Sequence, residues 1–270
     1  GGNLYAILGF FTPRVGVYDP RRDAWHDVAP LPRPLQYFGT AVIDERIYVV
    51  GGDFGGAGVS AALQVFDPAD GAWVAKAAMP GGPRWDVGAA ALDGRLYVVG
   101  GKDGVTQEFV SRLEVYDPAT DRWTTKAPMP TPRGLANGVA GLGGKLYVVG
   151  GNARAGGLTT LEVYDPATDA WTSRAPLPRP VCAQAAVVEG RLFLAGGGLG
   201  DDNSSVFAYD PATDVWTARP PLLRGRRAHG LAYDAVGRRL YAVGGYVDSW
   251  LPDLEVCAPT APSRDARPPR

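Results

Sequence analysis

Five arginines recur at one place in this chain and are its first candidates for chemistry. Arg33, Arg84, Arg133, Arg179 and Arg227 precede a double glycine by 18, 16, 17, 17 and 17 residues. A guanidinium fork grips carboxylates and phosphates at two points. Five in register would form a basic collar suited to an acidic peptide or an anionic sugar. The same recurrence also suits a scaffold role, each arginine pairing with a carboxylate of a neighbouring repeat. Residues that do not recur say more about specificity, because the repeat does not demand them. After the double glycines these are Asp53, Phe54, Lys102, Asn152, Arg154, Tyr246 and Trp250, with Phe10, Phe11 and the run Asp201-Asp202-Asn203 in other copies. Tyr37, Phe38, Trp85, Asn137, Gln184 and His229 lie near the arginines. Aromatic and amide side chains around basic ones make a binding face.

Catalytic alternatives are thinner. His26 and His229 are the only histidines, and His26 follows Trp25 on an outer strand, too far out to meet His229. His229 with Glu108 or Asp86 is a candidate acid–base pair, although a lone histidine on an inner strand is more often a packing residue. GxSxG, HExxH, CxxC and phosphate-cradling glycine motifs are absent. Asp201-Asp202-Asn203 lacks the ligand spacing of a calcium loop. No metal and no cofactor are therefore expected. Cys182 and Cys257 have no metal or redox spacing; they read as two small buried thiols, with pairing left open.

The bulk numbers narrow the classes further. With 270 residues and 46% apolar content, the chain can fill a sizeable core and is not a disordered segment. A net charge of −1 argues against nucleic acid, which calls for a basic face. No run approaches the ~20 apolar residues that span a bilayer, and the chain starts without a basic and apolar leader. A soluble monomer is expected, its compartment open.

The elements that must position these residues are repeats. Six apolar runs end in a glycine turn, at residues 4–9, 47–52, 96–101, 146–151, 192–197 and 240–245. Five are followed by Tyr18-Asp19-Pro20, Phe66-Asp67-Pro68, Tyr116-Asp117-Pro118, Tyr164-Asp165-Pro166 or Tyr209-Asp210-Pro211, and then by Trp25, Trp73, Trp123, Trp171 or Trp216. The tryptophans are 48, 50, 48 and 45 residues apart, the mark of one supersecondary unit copied around or along an axis. Within residues 133–178 the pattern predicts four strands. A small-residue strand starts near Leu135 and turns through Gly143-Gly144 into the Leu-Tyr-Val-Val run. A third strand ends at Tyr164, and the Asp-Pro turn leads into an outer strand at Trp171.

This order of double glycine, Tyr-Asp-Pro and Trp resembles the kelch repeat, over nearly the whole chain. The resemblance implies an all-β, six-bladed β-propeller whose four-stranded antiparallel blades place the first strand along a central channel. The ends depart from it. The first repeat begins at its second strand, and Cys257-Ala258-Pro259 stands where the last Tyr-Asp-Pro should be, with no tryptophan after it. The first and last blades are thus expected to be incomplete, as in a propeller cut from a longer chain that supplies the missing strand. Residues 1–259 form one propeller domain in this reading, and 260–270 a Pro/Arg-rich tail or linker. Kelch proteins include copper oxidases, which the two histidines here do not fit, and six-bladed sialic acid epimerases. The expected function is a non-catalytic module holding a protein or small acidic ligand at the channel mouth, with a carbohydrate-acid epimerase as the alternative.

Overall fold

The computed structural model describes residues 2–7, 9, 12–134, 138–198, 203–251 and 253–257. Among them there is no helix. Six antiparallel sheets follow one another along the chain. Blade 1 has strands Leu4–Ile7, Val15–Asp19 and Ala24–Val28. Blade 2 has Gly39–Ile43, Arg46–Val50, Leu63–Asp67 and Ala72–Lys76. Blade 3 has Gly88–Leu92, Arg95–Val99, Leu113–Asp117 and Arg122–Lys126. Blade 4 has Val139–Leu142, Lys145–Val149, Leu161–Asp165 and Ala170–Arg174. Blade 5 has Ala185–Val188, Arg191–Ala195, Val206–Asp210 and Val215–Arg219. Blade 6 has Gly230–Asp234, Arg239–Val243 and Leu254–Cys257. The architecture is a six-bladed β-propeller.

Radial position follows from side-chain character. The second strands, such as Leu96-Tyr97-Val98-Val99, are apolar on both faces and almost wholly buried, because each blade is covered by a neighbour on either side. First strands lie against first strands around the axis, where small residues are required. A β-carbon on Gly141 would lie 2.2 Å from the Ala91 carbonyl of blade 3. Fourth strands are mostly exposed, rich in Thr, Arg and Lys, and present a polar outer edge.

The recurring Trp and Asp residues tie each blade to the one before it. Trp73, Trp123, Trp171 and Trp216 donate their indole N–H to the carbonyls of Ala29, Ala77, Ala127 and Ala175, at 2.7–2.9 Å. Asp121, Asp169 and Asp214 accept from the amides of Ala77, Ala127 and Ala175 in blades 2, 3 and 4, and from the hydroxyls of Tyr116, Tyr164 and Tyr209. The consensus is therefore the interface itself. Blade 1 lacks an innermost strand and blade 6 an outermost one among the described residues, as the sequence predicts. Their junction packs Tyr18 against Tyr241, ring centres 6.3 Å apart. The stretch around Leu135 to Asn137, Phe10 and Phe11, Asp201 and Asp202, and the tail lie outside the described residues.

Candidate functional site at the channel mouth

The turn into each first strand and the loop after each double glycine meet on one face. Backbone bridges join Gln36 to Asp53, Trp85 to Lys102, Gly134 to Asn152 and Arg227 to Tyr246. These bridges set the register of the turns. Directly before them come Leu35, Arg84, Arg133 and Arg226, and Val181 holds that place before Cys182 in blade 5. The second glycine of the preceding blade donates its amide to the carbonyl of Arg84, Arg133, Val181 or Arg226, at 2.8–2.9 Å. The expected collar is thus not one structural position. Arg33 and Arg179 stand two residues ahead of their anchors Leu35 and Val181, and Arg227 one residue past Arg226.

Arg84 and Arg133 do not reach the mouth: both are 0% exposed, as is Arg226. Arg133 donates to the Gly150 carbonyl at 2.9 Å and to Glu162 at 2.5 Å. Arg84 makes the same pair of contacts, with Gly100 and Glu114. Arg226 contacts Gly244, Glu255 and Asp253. The carboxylates Glu114, Glu162 and Glu255 sit on the third strand of the arginine's own blade, not on a neighbour as the scaffold reading held. The clamp explains which copies have it. Blades 2 and 5 carry Gln64 and Phe207 in place of the glutamate and use Leu35 and Val181 as anchors. In blade 5 the Asn203 amide caps the Gly196 carbonyl instead, at 2.9 Å.

His229 is corrected in the same way. It is 4% exposed, wedged between Gly196 of blade 5 and Gly245 of blade 6, where blade 3 has Val87. Burial, and then the Arg226 charge, push its pKa down to about 4, so it is a neutral packing group.

The remaining candidates do share the mouth face. Arg33 is exposed, its guanidinium 3.9 Å from the Phe54 ring centre. Lys102 lies 4.9 Å from both the Trp85 and Phe109 rings. Arg227 lies 4.8 Å from the Tyr246 ring centre, and Tyr246 meets half-exposed Trp250 edge-to-face. Arg154 is exposed on the turn between the short strands Asn152–Ala153 and Gly156–Gly157. Arg179 is exposed. Asp53 is occupied locally by the Gln36 amide at 2.9 Å and the Gly55 amide. An aromatic face attracts a cation without neutralising its charge, and this pairing was not anticipated from the sequence.

Asp86 is the other residue that the sequence underrated. It is 6% exposed, in the left-handed region at φ 55°, its amide bonded to the Tyr37 carbonyl at 2.8 Å. Among the described residues, no ion pair and no hydrogen bond reaches its carboxylate. It is close enough to Lys102, Tyr37 and, from blade 5, Cys182 to interact with them electrostatically. Burial raises its pKa to about 7, with Lys102 offsetting part of the rise. Cys182 is an unpaired thiol, pushed up to about 12 mainly by burial; the Cys257 side chain lies outside the described ones. No group of three or more His, Cys, Asp and Glu able to hold a metal occurs among the described residues. No helix among them is long and apolar enough to cross a membrane.

Comparison with known proteins agrees with this architecture. The solved structure titled "Structure of YjhT" superposes with a TM-score of 0.80 at 18% identity, covering 94% of this chain and 91% of that one, a likeness of fold alone. Kelch-like protein 35 of Mus musculus is 33% identical over 65 residues, which are 24% of this chain and 11% of the mouse protein. The KLHDC2/KLHL20/DRC7 Kelch-repeats domain model matches residues 40–245, and the chain belongs to the kelch-repeat family.

Proposed function

We propose that the mouth face is a non-catalytic binding surface for an acidic protein segment or small acidic ligand. Kelch domains generally bind proteins, so a binding module is the coarse expectation for the fold. The observation that carries the finer reading is the set of cation–aromatic pairs. Arg33 on Phe54, Lys102 on Trp85 and Phe109, and Arg227 on Tyr246 come from three blades. They put three cations and four aromatic rings on one face of a chain of net charge −1. A second reading, carbohydrate-acid epimerisation, is favoured by one observation, the carboxyl of Asp86 with a pKa of about 7.

Titration calorimetry with a tetraglutamate peptide, acetylated and amidated at its ends, tests the first reading at low salt. Binding should weaken steeply as salt rises, because exposed charge attraction is screened over about 8–10 Å at physiological ionic strength. No binding to the wild type at pH 5.5 and low salt refutes it. Proton NMR of sialic acid anomers with and without the protein tests the second; anomer exchange at the uncatalysed rate excludes it.

A further inference from the structure

Among the described residues, one buried carboxyl at the mouth, Asp86, has neither an arginine nor a backbone amide against it. Glu114, Glu162 and Glu255 are buried against arginines, and the repeating Asp residues of the Asp-Pro turns accept backbone amides. Asp86 has neither kind of partner among the described residues. Blade 2 has Tyr37 and blade 6 has Ala228 at the corresponding left-handed position, so the repeat does not require an acid there. Gly134 seals one side: a β-carbon on it would stand 3.2 Å from Asp86 and 2.9 Å from Phe109. Lys102, Tyr37 and Cys182 face it from the loop after the second strand, from blade 2 and from blade 5, with Asp53 beyond Tyr37. A buried carboxyl with no internal partner is costly unless something outside the protein completes its hydrogen bonding.

We propose that the mouth takes up its anionic ligand together with one proton, held on Asp86, whose un-ionised carboxyl donates a hydrogen bond to a carboxylate of the ligand. An ionised Asp86 would repel that carboxylate across a poorly solvated gap. The protonated acid removes the repulsion and supplies a donor to a charged acceptor, a short and strong class of hydrogen bond. The proton comes from solvent, and no covalent bond forms or breaks. Burial already brings Asp86 to the edge of protonation at neutral pH, so uptake requires little further shift. Cys182 and His229, shifted away from neutrality in opposite directions, stay silent there. The inference rests on the anionic-ligand reading above and names the group that makes it proton-linked.

The test is calorimetry of the capped tetraglutamate peptide at pH 7.5 in two buffers of different ionisation enthalpy, on the wild type and on Asp86→Asn. Asparagine keeps the shape, tolerates the left-handed backbone and donates a hydrogen bond at every pH. The wild type should take up roughly three-quarters of a proton per peptide, and its affinity should fall about tenfold per pH unit above 7. Asp86→Asn should take up none and bind at least about tenfold more tightly than wild type at pH 8.5. Wild-type binding without proton uptake, or uptake that persists in the variant, overturns the inference while leaving the anionic-ligand reading intact. Absence of wild-type binding at pH 5.5 overturns both. If the variant does not fold, the wild-type buffer comparison decides alone.

Discussion

Replacing Arg133 by valine tests whether the buried arginines are scaffold. The substitution strands Glu162, 3% exposed, with only the Thr131 hydroxyl at 2.7 Å, and it uncaps the Gly150 carbonyl. Breaking a buried ion pair by removing one partner costs about 3–5 kcal/mol. For a domain of this size that corresponds to a fall in Tm of about 5–9 °C. Blade 5 shows the remedy, because Val181 and Phe207 fill the anchor and third-strand places there, within one apolar cluster. Arg133→Val combined with Glu162→Phe should therefore recover most of the loss, since well-packed apolar replacements of a buried pair are often neutral. Scanning calorimetry of the two single variants and the double variant measures the coupling. A single variant melting within about 2 °C of wild type refutes the clamp. So does a double variant that loses the sum of the two singles.

Three further outcomes follow. Gly150→Ala should lower stability by about 1–3 kcal/mol, because φ is +64° and the new β-carbon would stand 2.3 Å from the Val181 carbonyl; an unchanged urea midpoint contradicts the close approach. Asp86 has a native pKa raised to about 7, so its contribution to stability falls as pH rises from about 4 to 7 and the loss persists above. Asp86→Asn should gain about 4 kcal/mol over wild type at pH 8 and almost nothing near pH 4, and an equal effect at both pH values would be wrong for this account. His229 has the opposite sign, with its native pKa depressed to about 4. Its contribution is present above about pH 6.5 and declines by about 3 kcal/mol as pH falls towards 4. His229→Phe, which places there the residue type that blade 2 has in Phe38, should leave the opposing Asp86 slope uncompensated, so that Tm falls more steeply than in wild type as pH rises from about 4.5 to 6.5. A slope like wild type's refutes the wedge.

The fold was legible in the sequence because each recurring residue makes a contact that every blade needs. Trp171 reaches Ala127, Asp169 ties the same alanine's amide to Tyr164, and Gly150-Gly151 passes under Val181. The arginines were misread for a physical reason. The span from the anchor through the first hairpin to the double glycine is 16, 16, 17, 15 and 18 residues in blades 2 to 6, so counting back from the double glycine slips the register by one or two residues. The signal that fixes it lies on another strand. Glutamate follows the leucine of the third strand in blades 3, 4 and 6, as Glu114, Glu162 and Glu255, and in those blades alone an arginine is buried as the anchor. Lys102, seated between Trp85 and Phe109, was placed on the mouth face by its loop, but the seat depends on residues from two loops and was not readable. Asp86 looked like one loop acid among many; only its burial sets it apart.

The central claim, that the mouth face binds an acidic ligand, is tested most directly by comparing charge removal on the two faces. One variant carries Arg33→Gln, Lys102→Gln and Arg227→Gln. The other carries Arg95→Gln and Arg191→Gln, cations at the opposite ends of the second strands that pair with Asp117 and Asp210. Calorimetry with the capped tetraglutamate peptide at pH 6.5 and about 20 mM salt, where screening is weak, should show the mouth variant at least about tenfold weaker than wild type. The opposite-face variant should stay within about twofold, as surface ion pairs contribute little. Equal losses from both variants, or a mouth variant that binds like wild type, would contradict the account.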